Sequence, residues 1–191
     1  AFDSDVAMTL NNLAGLHYKI QRFDKAEQEY SEALEIYRRL AGKNPKAYDS
    51  YVAQTLNNLA TLHSDTQRFD SAEQEYSETL EIYRYLAERS PEVYDSVVAD
   101  TLNNLANLHS DTQRFDKAEQ EYSEALEIYR RLAEKDPETF ENDVAMILSS
   151  LAELHCMNHC FDLAKKEYSE ILAIYNRMAE DTEVAEDTIH N

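Results

Sequence analysis

One stretch near the end of the chain has the residue types of a metal site. His155-Cys156-Met157-Asn158-His159-Cys160 sets two histidines and two cysteines each four residues apart, a spacing that on one helix presents ligands side by side. A structural zinc needs its four ligands to converge, which adjacent His-Cys pairs on a single helix do not readily supply, and no second ligand pair lies nearby in sequence. No metal is therefore expected. His155 is also the last of a series, with His17, His63 and His109, that returns at one repeated position. No Ser or Cys nucleophile recurs beside these histidines, and no carboxylate pair of distinct environments can be assigned, so no catalytic residue and no cofactor are expected. They read as core or interhelix residues with one ring nitrogen hydrogen-bonded.

The series belongs to a longer pattern. Thr-Leu-Asn-Asn-Leu-Ala-x-Leu-His at residues 9–17 returns at 55–63 and 101–109, and a worn copy, Ile147-Leu148-Ser149-Ser150-Leu151-Ala152-Glu153-Leu154-His155, follows at the same step of 46 residues. Residues 51–96 and 97–142 differ at only about a dozen positions. Such self-similarity marks stacked units, with boundaries near 5–50, 51–96, 97–142 and 143–182.

Each unit carries two helical stripes. Leu10, Leu13, Ala14 and His17 share one face of the first; Phe23, Ala26, Tyr30, Ala33, Leu34, Tyr37 and Leu40 share one face of the second. Asp3, Ser4 and Asp5, with Asp49-Ser50 and Asp95-Ser96 later, are expected to cap the first helix, and Asp24 the second. The second ends near Gly42-Lys43-Asn44-Pro45, since proline disfavours helix in the residue before it. The connection Gln21-Arg22-Phe23 is so short that the two helices must fold back antiparallel. Neither helix can hide its stripe alone, so each hairpin needs the next as a wall. The tyrosines at 30, 76, 122 and 168 and at 37, 83, 129 and 175 read as packing between hairpins. Glu27, Glu29, Glu32 and Glu35 with their copies read as an acidic solvated face, relieved by pairs such as Lys25-Glu29.

The series Leu10-x-x-Leu13-Ala14-x-x-His17, then Phe23-x-x-Ala26-x-x-x-Tyr30-x-x-Ala33-Leu34, resembles the tetratricopeptide repeat, and the longer unit with Asp-Val-Ala-x-Thr-Leu-Asn-Asn-Leu-Ala resembles the repeats of the kinesin light chain and their bacterial relatives. The resemblance covers essentially the whole chain. It departs where family members commonly carry Tyr and this chain has His, and in a unit a few residues longer at the hairpin junction. It implies an all-α solenoid of four helix-turn-helix repeats, a right-handed superhelix with the first helix of each hairpin on the concave side. It further implies a non-enzymatic module that holds an extended peptide or a partner helix in that groove.

Rotating the first helix by about 100° per residue shows which residues would line such a groove. Opposite the apolar stripe lie Met8, Asn11, Asn12, Gly15 and Lys19, then Gln54, Asn57, Asn58, Thr61 and Asp65. The third set is Asp100, Asn103, Asn104, Asn107 and Asp111, and the fourth is Met146, Ser149, Ser150, Glu153 and Met157. An amide both donates and accepts, so an asparagine ladder suits a peptide backbone of any sequence. Binding a C-terminal carboxylate would need Lys and Arg here, and only Lys19 is present. Asp65, Asp100 and Asp111 favour a partner carrying Lys or Arg. The alternative is a structural or self-associating array whose exposed ends and outer tyrosines join copies.

Composition sets the outer limits. Only 2 glycines and 3 prolines occur in 191 residues, and the formal net charge is -20. That charge argues against nucleic acid and against anionic lipid surfaces, and favours a basic or neutral protein partner. No long apolar run or leader is visible, and two cysteines do not make a disulfide framework, so the cytoplasm is the expected location. The chain starts without Met and in mid-pattern, as expected of a piece of a longer protein. One array is expected over residues 1–191, with 183–191 a tail or a partial capping helix.

Overall fold

The computed structural model describes residues 2–189, with side chains through residue 180. Among the described residues there are eight helices and no strand. They are α1 (Phe2–Lys19), α2 (Phe23–Ala41), α3 (Pro45–Asp65), α4 (Phe69–Ala87), α5 (Pro91–Asp111), α6 (Phe115–Ala133), α7 (Pro137–Met157) and α8 (Phe161–Ile189). Three residues separate each helix from the next, so every connection is a tight turn. The extra length of the repeat therefore lies in helices of 21 and 19 residues, as in α3 and α4, and not at the junction where the sequence places it.

The helix starts also differ from expectation. α3 and α7 begin at Pro45 and Pro137, several residues ahead of the Asp-Ser pairs and their copies. Proline at the first helical position has its φ already set and lacks only an N–H that would have had no partner there, so the residue that stops one helix starts the next. Asp136 caps α7, its carboxylate accepting from the Thr139 N–H at 3.3 Å. α2 begins at Phe23 after Arg22, with no side-chain cap, and Asp24 lies inside the first turn, where a negative charge favours the helix dipole.

Within each hairpin the turn is held by one unusual backbone angle. Gln21, Gln67, Gln113 and His159 all take φ of 59 or 60°, the left-handed region. The bend lets the Arg68 N–H reach back to the His63 carbonyl at 2.7 Å and the Gln67 N–H to Ser64 at 2.9 Å, satisfying carbonyls at the end of α3. A left-handed non-glycine residue costs roughly 1–2 kcal/mol, and here the tight reversal requires it.

The chain divides into two compact units, residues 1–108 and 109–191. In the first, α1 packs on α2, α2 on α3 and α3 on α4, with α1 also touching α3. Ala7, Ala14, Ala26 and Ala33 are fully buried and let the helix axes approach. Tyr30, Leu34, Tyr37, Val52, Leu56, Leu59 and Leu62 fill the layer between α2 and α3. The Tyr37 and Tyr51 rings stack at 5.2 Å, and Tyr83 meets Tyr94 at 6.2 Å, the packing role expected of the tyrosines. In the second unit α6 packs on α7 and α7 on α8, around Tyr122, Leu126, Tyr129, Val144, Leu148 and Leu151. α8 continues without a break through residues 183–189, and the last two residues of the expected tail lie outside the described residues.

Candidate peptide-binding face

In the first unit the expected groove residues sit on α1, α3 and the part of α5 up to residue 108. Asn12, Asp65, Asp100 and Asn107 are exposed; Asn11, Asn57, Asn58, Asn103, Asn104 and Thr61 are half-buried. Two amide rungs join neighbouring repeats. Asn58 Nδ2 donates to Asn11 Oδ1 at 3.4 Å, and Asn104 Nδ2 donates to Asn57 Oδ1 at the same distance. The second asparagine of one pair thus meets the first asparagine of the pair before it. Both rungs are long, so each orients its amides while leaving one N–H and further carbonyl lone pairs unspent. Asn103 Oδ1 is buried with no hydrogen-bond partner.

The flanking groups are partly committed. Thr61 Oγ1 donates to the Asn57 carbonyl at 2.9 Å and lies 3.0 Å from the Tyr76 hydroxyl. The Tyr18 hydroxyl donates to Asp65. Burial, then the bond to Asp65 and its charge, push the Tyr18 phenol up to about 12, so it stays a donor. Asp111 belongs to the second unit, where Ser149 and Ser150 occupy the positions of the asparagine pair.

A second constellation is clearer in the structure than in the sequence. His17, His63 and His109 turn Nδ1 to Glu29, Glu75 and Glu121 at 2.7, 2.7 and 2.6 Å. His155 does the same with Glu167 at 3.0 Å. The other nitrogen can also meet a carboxylate of the preceding hairpin: His63 Nε2 lies 3.3 Å from Glu27, and His155 Nε2 lies 3.4 Å from Glu119. Arg68 Nη1 closes the first of these on Glu27 at 2.6 Å. Arg68, then His63, hold the Glu27 carboxyl below its usual range, while burial pushes that of Glu75 up. Glu29, Glu75, Glu121 and Glu167 therefore turn inward to histidine and leave the solvated acidic face, whereas Glu27 and Glu119 meet histidine while staying partly exposed. The signal was a Glu twelve residues after each repeated His, hidden among many other acids.

The His-Cys stretch does not converge. His155 is buried with both nitrogens facing carboxylates, whereas His159 sits exposed in the turn with its ring 5.9 Å from Phe161. Cys156 and Cys160 are half-buried free thiols. Among the described residues no group of three or more His, Cys, Asp or Glu could hold a metal ion. Nor is any described helix long and apolar enough to cross a membrane.

Two family profiles described as Tetratricopeptide repeat match residues 5–85 and 98–138. A comparison with curated proteins found no match. Among solved structures, BtubC (BKLC) from P. vanneervenii is similar at TM-score 0.76 and 25% identity, over 91% of this chain and 64% of that one. The apo form of RapI gives TM-score 0.73 at 17% identity, over 95% of this chain and 60% of that one. Aspartyl phosphate phosphatase F from Bacillus subtilis gives 0.74 at 15% identity, over 92% and 42%. The last two likenesses concern the fold alone, and the chain spans less than two thirds of the length of each of the three proteins. Eight helices packed in consecutive pairs, the alanine contacts and the matched profiles agree: this chain belongs to the tetratricopeptide repeat family.

Proposed function

We propose that the protein is an interaction module that holds an extended or helical segment of a partner protein against the first helices of its repeats. The observation that carries this reading is the pair of amide rungs, Asn58 to Asn11 and Asn104 to Asn57. They hold unspent donors and acceptors at a regular step along one face, which suits the evenly spaced polar groups of a peptide backbone. Asp65 and Asp100 on the same face favour Lys or Arg in the partner, within a chain of net charge -20. A binding role also fits the histidines, whose nitrogens are engaged by carboxylates in the structure and are therefore poorly placed to take up a substrate proton.

The test is an array of unstructured 15-residue peptides differing in Lys and Arg content, read by fluorescence anisotropy. Peptides with several basic residues should bind. Asn57→Ala with Asn103→Ala should weaken them roughly 2- to 10-fold, the worth of one or two hydrogen bonds, with little change in melting temperature. Equal affinity in the double variant would overturn the groove. A second reading, self-association, is favoured by apolar residues exposed at both ends of the chain, Leu13 and Leu16 on α1 and Phe161 and Leu172 on α8. A mass that grows with concentration in light scattering would support it.

A further inference from the structure

One tyrosine hydroxyl on the asparagine face lacks the partner that its equivalents have. The Tyr76 hydroxyl lies 3.0 Å from Thr61 Oγ1 of its own hairpin. The Tyr122 hydroxyl meets Ser150, on the first helix of the following hairpin. Tyr30 stands one repeat before Tyr76 and is only 4% exposed, yet its hydroxyl makes no hydrogen bond among the described residues. Unlike the buried oxygen of Asn103, it keeps some access to solvent.

Both positions that could answer Tyr30 have changed. The residue matching Thr61 is Gly15, and the residue matching Ser150 is Asn58, whose amide is turned to Asn11 at 3.4 Å. A Cβ at Gly15 would lie 3.5 Å from the Tyr30 hydroxyl, an ordinary contact, so glycine does not stand there to avoid a clash. Gly15 lies inside α1, where glycine is disfavoured by the backbone freedom it loses and needs a local reason. It leaves a gap where the next repeat holds a threonine side chain, with the Tyr30 hydroxyl at the floor.

The surroundings choose the occupant. The hydroxyls that answer Tyr76 and Tyr122 each stand one bond beyond a Cβ, so a short side chain ending in O–H reproduces the contact. A hydroxyl can donate or accept, whichever the tyrosine leaves open. Lys19, exposed one turn on from Gly15, disfavours an ammonium in the gap. Asp65, bonded by Tyr18 of the same turn, disfavours a carboxylate, as does the net charge of -20.

We propose that the gap over Gly15 seats a Ser or Thr side chain of the partner, its hydroxyl paired with that of Tyr30. This rests on the reading of the asparagine face as a peptide groove and adds one residue type to the basic segment held there.

The probe is a labelled 15-residue peptide of five Gly-Ser-Lys repeats, beside a twin in which every Ser is 2-aminobutyrate, equal in size with a methyl in place of the hydroxyl. Fluorescence anisotropy should show the Ser peptide binding roughly 3- to 10-fold more tightly, the worth of one hydrogen bond. Tyr30→Phe should erase that preference while circular dichroism and melting temperature stay unchanged, since the lost hydroxyl had no partner. Gly15→Thr should erase it as well, by giving Tyr30 the partner that Tyr76 has. Tyr122→Phe, whose hydroxyl Ser150 already meets, should leave the preference intact. A Ser preference that survives Tyr30→Phe or Gly15→Thr would overturn the proposal. Equal binding of the two peptides, both weakened by Asn57→Ala with Asn103→Ala, would remove this seat and leave the groove standing; no binding of either peptide would remove both.

Discussion

α6 and α8 lie in one unit and carry Tyr, Leu and Tyr at matching steps, yet those residues are buried on α6 and exposed on α8. The side chains are the same; the difference is the neighbour. α7 removes the α6 stripe from water, and among the described residues no helix does this for α8. Burial in this chain is therefore a property of position in the series, whereas the backbone of each turn is a property of the hairpin alone. Gln113 ahead of α6 and His159 ahead of α8 share φ of 59° although the helices that follow differ so much in exposure.

Three experiments test this contrast. The largest effect is expected from truncating the two equivalent leucines. Leu126→Ala should cost about 2–5 kcal/mol in urea unfolding, through lost burial and the cavity left behind, and Leu172→Ala should stay within about 0.5 kcal/mol. Equal losses would mean that the α8 face is covered in solution. A smaller and opposite effect is expected at the turns. Gln113→Gly and His159→Gly should each stabilise by roughly 0.5–1 kcal/mol, because glycine adopts the left-handed region without strain, and the two gains should be similar despite the different exposure of α6 and α8. A gain at one turn only would show that turn energetics also depend on the neighbour.

The smallest effect concerns pH. Burial lowers the pKa of His155, but its bonds to Glu167 and Glu119 and their charges outweigh this and hold it above the usual histidine value. Folding then takes up protons, so the contribution is complete below the unfolded value of about 6.5 and is lost as pH rises through the folded one. The melting temperature should fall from pH 6.5 to 8, with a shallower slope in His155→Gln. A slope unchanged by that substitution would place the titrating group elsewhere. Glu27, held low by Arg68 and His63, acts in the opposite sense: its contribution is present above about 4.5 and lost as pH falls through its folded value.

Much of the architecture is legible in the sequence, because it rests on periodicity. The 46-residue step and the stripes through Leu10, Ala14, Tyr30 and Leu34 locate the helices, and the short connections bring the paired helices together. The helix starts were less legible, since Pro45 and Pro137 both end one helix and begin the next, and the stop is the more familiar signal. On the candidate face, rotation of the helix found the asparagines but not their pairing. The Asn58–Asn11 rung spans 47 residues, one more than the repeat, and depends on how neighbouring first helices are offset, which no single-helix projection contains. The His-Glu contacts were missed for a related reason. Glu29 and Glu35 look alike on paper, and only the direction of approach of α1 decides that Glu29 meets His17.

One replacement in the last hairpin bears on how the chain comes apart. Arg68 bridges two hairpins, reaching Glu27 across the boundary and Thr66 in its own turn, whereas Cys160 at the equivalent position bonds no farther than the carbonyl of Asn158. At this turn the last hairpin is thus tied to Glu119 through His155 alone, without the second clasp. Local opening is easiest where the fewest fastenings must be released, so amide protons of α8 should exchange ahead of those of α4.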